Sequence, residues 1–142
     1  MARPFRLLLA LPIVLLFLST ARAHFNMLLP DRHSTEKGKE VTFTYQWGHP
    51  FEHQLFDAPK PASVFVLSPD GKRTDLANKL EKTSVASVDK KEVTVYRLRF
   101  TPEERGDYVF VLQTPPIWME QDQDFLQDTV RVVLHVQAQR GW

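Results

Sequence analysis

The sequence predicts an all-β protein, a single antiparallel β-sandwich that follows an N-terminal export signal. Three observations predict it. Several runs in the body alternate apolar and polar residues with period two, the pattern of half-buried strands. Those runs are separated by Pro-, Gly- and Asp-containing turns rather than by helical stretches. Residues 24–142 have the length of one ordinary domain, large enough to bury a core without disulfide staples.

Residues 1–23 read as the signal. Arg3 and Arg6 form a basic start, residues 7–18 are a nearly unbroken apolar run, and the small residues up to Ala21-Arg22-Ala23 form a signal-peptidase site. The apolar run falls short of the roughly 20 residues a spanning helix needs, Pro12 interrupts it and Arg22 closes it. Cleavage after Ala23 is therefore expected, with a periplasmic mature domain over residues 24–142. The whole chain carries 18 Lys+Arg against 17 Asp+Glu; the presequence holds three of the arginines and no acid, which leaves the mature chain at −2. No clustered basic surface points to nucleic acid. With no cysteine in the chain, a lipid-modified cysteine, a disulfide, a zinc–thiolate site and a thiol nucleophile are all excluded. Any metal would be held by nitrogen, oxygen or methionine sulfur.

The strands follow in order. Residues 41–47 place Val41, Phe43, Tyr45 and Trp47 on one face. Residues 63–67 are a short apolar run ending at Ser68-Pro69-Asp70-Gly71, a turn across which residues 72–76 pair back as a hairpin. In residues 93–100, Thr94, Tyr96, Leu98 and Phe100 form the expected inward face. Residues 107–113 are rich in aromatic and β-branched side chains, and residues 129–137 end the fold with Val130, Val132 and Leu134 on one face and His135 on the other. Tyr108 follows Glu104-Arg105-Gly106-Asp107 at the start of a strand, where immunoglobulin-like sandwiches hydrogen-bond a tyrosine back to the backbone upstream. Residues 77–92 are polar and charged, a long loop with one edge strand around 83–88. Residues 115–128 open with Pro115-Pro116 and show neither period, the kind of long excursion that carries function.

Five histidines lie after the presequence: His24, His33, His49, His53 and His135. Cleavage after Ala23 would make His24 the first residue, so that its α-amine and imidazole could bind one ion together. His49 and His53 flank Pro50-Phe51-Glu52; if Pro50 starts a helical turn they lie one turn apart, and Glu52 adds an oxygen. Imidazole suits nickel, copper and zinc, and carboxylate widens the choice. His33, in a polar loop, and His135, on a sheet surface, are expected to be solvated. Met27 and Met119 are apolar filler that could also serve as soft ligands. Trp118, Glu120, Asp122 and Asp124 gather on the long excursion, where they could close over the histidines. No nucleophile elbow, phosphate-cradling loop or dinucleotide fingerprint is present, so no catalytic residue is expected.

Ala23-His24-Phe25-Asn26-Met27-Leu28-Leu29-Pro30, Gly48-His49-Pro50-Phe51-Glu52, Gly106-Asp107-Tyr108-Val109-Phe110 and Trp118 with Glu120 and Asp124 together resemble a family of exported bacterial domains of unknown function that is grouped with the NikM-type component of nickel and cobalt uptake systems. The resemblance runs over the mature chain. It implies a periplasmic β-sandwich linked to nickel or cobalt handling, with His24, His49 and Glu52 in its motifs, followed by His53 and Glu120. Transporter members of that group carry a membrane span, and residues 24–142 contain no apolar span. The expectation is therefore a metal-binding accessory of a membrane uptake complex. Two other readings stay open: a copper chaperone or oxidase-like protein with a terminal-histidine site, and a non-metal adhesion or carbohydrate-binding sandwich displaying Trp47 and Trp118.

Overall fold

The structure, a computed structural model, describes residues 25–120 and 123–137. Its strands in chain order are β1 (Phe25–Pro30), β2 (Ser34–Thr35), β3 (Val41–His49), β4 (Gln54–Phe56), β5 (Ser63–Leu67), β6 (Arg73–Asp75), β7 (Leu80–Ala86), β8 (Glu92–Phe100), β9 (Gly106–Gln113), β10 (Ile117–Met119), β11 (Asp124–Leu126) and β12 (Thr129–Val136). They form two five-stranded sheets. One runs β1-β3-β8-β7, with β4 also pairing β3; the other runs β2-β12-β9-β5-β6. A separate two-stranded pair, β10-β11, completes the set, and neither large sheet closes into a barrel. Every pairing is antiparallel except β2 with β12. Among the described residues no helix is long and apolar enough to cross a membrane.

The alternating runs of β3, β8 and β12 bury the faces their patterns call for, and β5 and β9 bury alternate residues as well. Val41, Phe43 and Tyr45 of β3, Tyr96 and Leu98 of β8, Val64 and Val66 of β5, Phe110 and Leu112 of β9, and Leu134 and Val136 of β12 meet between the sheets. Phe43 and Phe110 touch across the gap with ring centroids 4.1 Å apart, and Phe100 packs edge-on against Phe110 at 5.0 Å. Fully burying side chains of this size contributes roughly 1.5–3 kcal/mol each, so this row is the main force closing the sandwich. Val93 and Val95, on the opposite face of β8, are buried as well; Val93 lines a cleft beside β4. Period two alone under-reads burial there.

The turn at Ser68 to Gly71 forms as expected. The Lys72 amide donates to Asp70 Oδ1, and the Gly71 amide to the Ser68 carbonyl. The tyrosine corner forms too: the Glu104 amide donates to Tyr108 Oη at 2.8 Å, and Tyr108 is buried. His135 stands on the sheet surface with Nδ1 2.7 Å from Asp107 Oδ1, and His33 is exposed.

Five strands escaped the period-two reading: β1, β2, β4, and β10 and β11, which lie in the long excursion of residues 115–128. β1 carries apolar residues on both faces and turns the polar Asn26 inward. Asn26 is accommodated because its side chain has two partners. Tyr45 Oη donates to Asn26 Oδ1 at 2.7 Å, and Asn26 Nδ2 donates to Asp128 Oδ2 at 2.6 Å. β1 is an edge strand, so Pro30 at its end costs no ladder bond that a central strand would need. β2 and β4 are two and three residues long, too short for any period to show.

The chain from Asn26 to Asp128 also fixes which ends of the sheets coincide. Asp128 precedes β12, whose Thr129 pairs with Gln113. The start of β1, the end of β3 and the β10-β11 hairpin therefore share one end of the sandwich. Burial, then the charge of Asp128, pushes the Tyr45 phenol well above its ordinary value. A phenol whose folded pKa is raised stabilises the fold fully below its unfolded pKa of roughly 10; that contribution is lost as pH climbs toward the folded pKa. Stability measured by urea unfolding is expected to fall above pH 10, and the fall to be smaller in Tyr45→Phe. Equal alkaline loss in both proteins would contradict this role for Tyr45.

Candidate metal centre

The inward row of β3 continues past Tyr45 and Trp47 to His49, which is 7% exposed. The chain then reverses. Pro50 supplies the first residue of a single 3₁₀ turn, Pro50–Glu52, a position where its fixed φ and missing N–H are tolerated. His53 ends the turn in the left-handed conformation at φ 53°, and β4 runs back along β3 with Trp47 opposite Phe56, Gly48 opposite Leu55 and His49 opposite Gln54. The condition that the sequence left open, that Pro50 starts a helical turn, is met. Its consequence is different: His49 is buried, whereas His53 is exposed beyond the turn.

This reversal depends on Gly48. A Cβ there would run into the Gln54 carbonyl oxygen and would lie 2.9 Å from Leu55 Cα, closer than real Cβ atoms come. β4 can lie this close only against a residue with no side chain. β4 is also fastened on its other side. The Leu55 amide donates to the buried Ser87 Oγ at 2.9 Å, and the Ala58 amide to the Thr94 carbonyl at 2.9 Å. The Thr94 amide donates to Asp57 Oδ1 at 2.8 Å, and this bond holds the Asp57 carboxyl below its ordinary range.

The His49 imidazole is fixed on two sides. It stands perpendicular to the Phe56 ring, centroids 5.4 Å apart at 88°, and Phe56 in turn packs against Trp47. Nδ1 lies 3.2 Å from Gln54 Oε1 and 3.3 Å from Glu52 Oε2. Gln54 is the member of this group that the sequence did not mark. Its role comes from the β3–β4 register, which a three-residue strand does not announce. A cleft of about 530 Å³ opens beside these residues, between Trp47 and Phe56 on one side and Val93 on the other.

The remaining candidates are distributed as follows. Glu120 is exposed just after β10, and its carbonyl accepts from Gln123 Nε2 at 2.8 Å. On the same hairpin Trp118 (49% exposed) and Phe125 (62% exposed) stack edge-on at 5.0 Å. Met27 and Met119 are half-buried. His24 lies outside the described residues, as does Asp122; the structure begins at Phe25, which pairs with Gly48. Among the described residues, no three His, Asp or Glu side chains gather where they could hold a metal. His49 and Glu52 come together; His53 and Glu120 do not complete a group with them. A transition-metal site usually draws on about four donors, so His49 and Glu52 do not by themselves make one.

No curated protein matches the chain significantly. The model of DUF4198, a domain of unknown function, matches residues 21–142. The chain belongs to the DUF4198 family.

Proposed function

We propose that this protein is an exported transition-metal-binding protein, cleaved after Ala23, in which His24 and His49 hold one divalent ion, nickel or cobalt, for delivery to a membrane uptake complex. One observation carries the reading. Phe25 is paired with Gly48, the neighbour of the buried His49, and His24 comes before Phe25 in the sequence. A terminal His24 is the residue proposed to join the buried imidazole. Its α-amine and ring would add two nitrogens to that of His49, a donor set suited to nickel or copper. His53 and Glu120, both exposed, are contacts for the delivery partner and not donors to the ion. The preference for nickel or cobalt rests on the resemblance to proteins grouped with the NikM-type component.

A second reading, a copper chaperone or oxidase-like protein, is favoured by the same nitrogen-only donor set, since copper tops the affinity order for such ligands. Calorimetric titration of the protein beginning at His24 with nickel, cobalt and copper ions, in parallel with a variant carrying one extra residue before His24, tests the site and ranks the metals. The extra residue converts the terminal amine into an amide and is expected to weaken binding at least tenfold. Unchanged affinity would remove His24 from the site.

A further inference from the structure

The β10-β11 hairpin is built inside out. It pairs with neither large sheet, and side chains alternate between its two faces. One face carries Ile117, Met119 and Leu126, all half-buried. The other carries Trp118 and Phe125, which stand directly opposite each other, edge-on at 5.0 Å, and are 49% and 62% exposed. The smaller apolar side chains are the covered ones, and the two largest face solvent. A cross-strand aromatic pair steadies a hairpin, yet the outer surface of both rings is left in water. Aromatic side chains displayed in this way are the commonest anchors of protein interfaces.

We infer that this hairpin is a docking surface for a basic segment of a partner protein, whose arginines stack on Trp118 and Phe125. Charge selects that class. Residues 117–128 contain Glu120, Asp122, Asp124 and Asp128 and no lysine or arginine. A guanidinium is attracted to the face of an aromatic ring, and its planar fork can bond a carboxylate at the same time. Glu120 and Asp124, both exposed and within two residues of the rings, are the carboxylates placed to meet it. A nucleic acid or an anionic bilayer would bring negative charge to this surface and be repelled. The hairpin is also held firmly at its neck. The fully buried Thr114 donates its amide to the Asp128 carbonyl, its Oγ1 accepts the Asp128 amide at 2.9 Å, and its carbonyl accepts from Gln127 Nε2 at 3.1 Å. Asn26 Nδ2 donates to the Asp128 carboxylate, and Pro115 and Pro116 fix φ where the chain enters. A surface fixed before binding loses less entropy when a partner arrives. The inference stands whether or not the protein binds a metal.

The test is a ¹H–¹⁵N NMR titration of the protein beginning at His24 with a peptide of Gly-Arg-Leu repeats, beside the same peptide with glutamate in place of arginine. The arginine peptide is expected to shift the Trp118 indole N–H signal, assigned with Trp118→Phe, and the amides of residues 117–126; the glutamate peptide is expected to leave them in place. Raising salt from about 0.05 M to about 0.3 M should weaken binding about threefold, because the exposed carboxylates are screened. Trp118→Ala should lose about tenfold, the usual effect of truncating an aromatic anchor. Glu120→Gln/Asp124→Asn keeps both rings and the oxygen that accepts the Phe125 amide; removing its charges should weaken binding about threefold. An arginine peptide that leaves residues 117–126 unshifted overturns the inference. Equal binding of the glutamate peptide, or a charge variant that binds like wild type, removes the acids from recognition and overturns it too. Shifts at Trp118 produced by a cellulose oligosaccharide or by phosphatidylcholine vesicles, but not by the arginine peptide, would assign the rings to a sugar or a membrane instead.

Discussion

Gly48→Ala is expected to destabilise the protein by about 3 kcal/mol, the upper part of the usual range for forcing extra volume into a packed site. The added Cβ meets the Gln54 carbonyl and Leu55 Cα. Both are backbone, so no side-chain rotation relieves the contact. Relief requires β4 to move off β3, which gives up the pairs Trp47–Phe56, Gly48–Leu55 and His49–Gln54 together. Gly71→Ala is the natural control. Nothing lies within 4 Å of a Cβ there, and only its φ of 83° opposes a side chain, worth about 1–2 kcal/mol. Urea unfolding should show a lower midpoint at an unchanged slope for both variants, with the larger shift in Gly48→Ala. If Gly48→Ala is as stable as Gly71→Ala, the close approach of β4 is not what the fold requires of this glycine.

His49→Ala is expected to weaken nickel binding by at least 100-fold, about 2.8 kcal/mol at 1.4 kcal/mol per factor of ten. His53→Asn should change it by less than threefold. Asparagine is the appropriate substitution because His53 holds a left-handed backbone that asparagine tolerates. The two histidines look equivalent in the sequence, four positions apart around a proline. The structure separates them: one ring is packed against Phe56 and hydrogen-bonded at Nδ1, and the other is exposed beyond the turn. Equal losses for the two variants in calorimetry would contradict this division. Thermal melts of both proteins show whether a loss of binding is a loss of fold.

Much of the sandwich was legible because its central strands bury one face and repeat every second residue. Phe43, Tyr96, Leu98 and Leu134 could be placed on a buried face from the pattern alone. The turn at Gly71 and the corner at Tyr108 could be read because each needs a particular residue type. β1 could not, since it is apolar on both sides and turns Asn26 inward for partners 19 and 102 positions away. In the candidate site, His49 and Glu52 stood out by residue type and spacing. Gln54 did not, because a glutamine becomes informative only once the hairpin register sets it opposite His49. The need for glycine at position 48 was hidden for the same reason, since the atoms it makes room for belong to a strand only three residues long.

In the proposed site a terminal His24 and the buried His49 share one ion. Pulsed electron paramagnetic resonance of the protein beginning at His24, loaded with one equivalent of copper(II) as a paramagnetic probe, tests it most directly because it registers the nitrogens bound to the metal. Imidazole couplings from two histidines are expected together with a directly bound amine nitrogen, with one imidazole lost in His49→Ala. A spectrum that is the same in wild type and His49→Ala would contradict it.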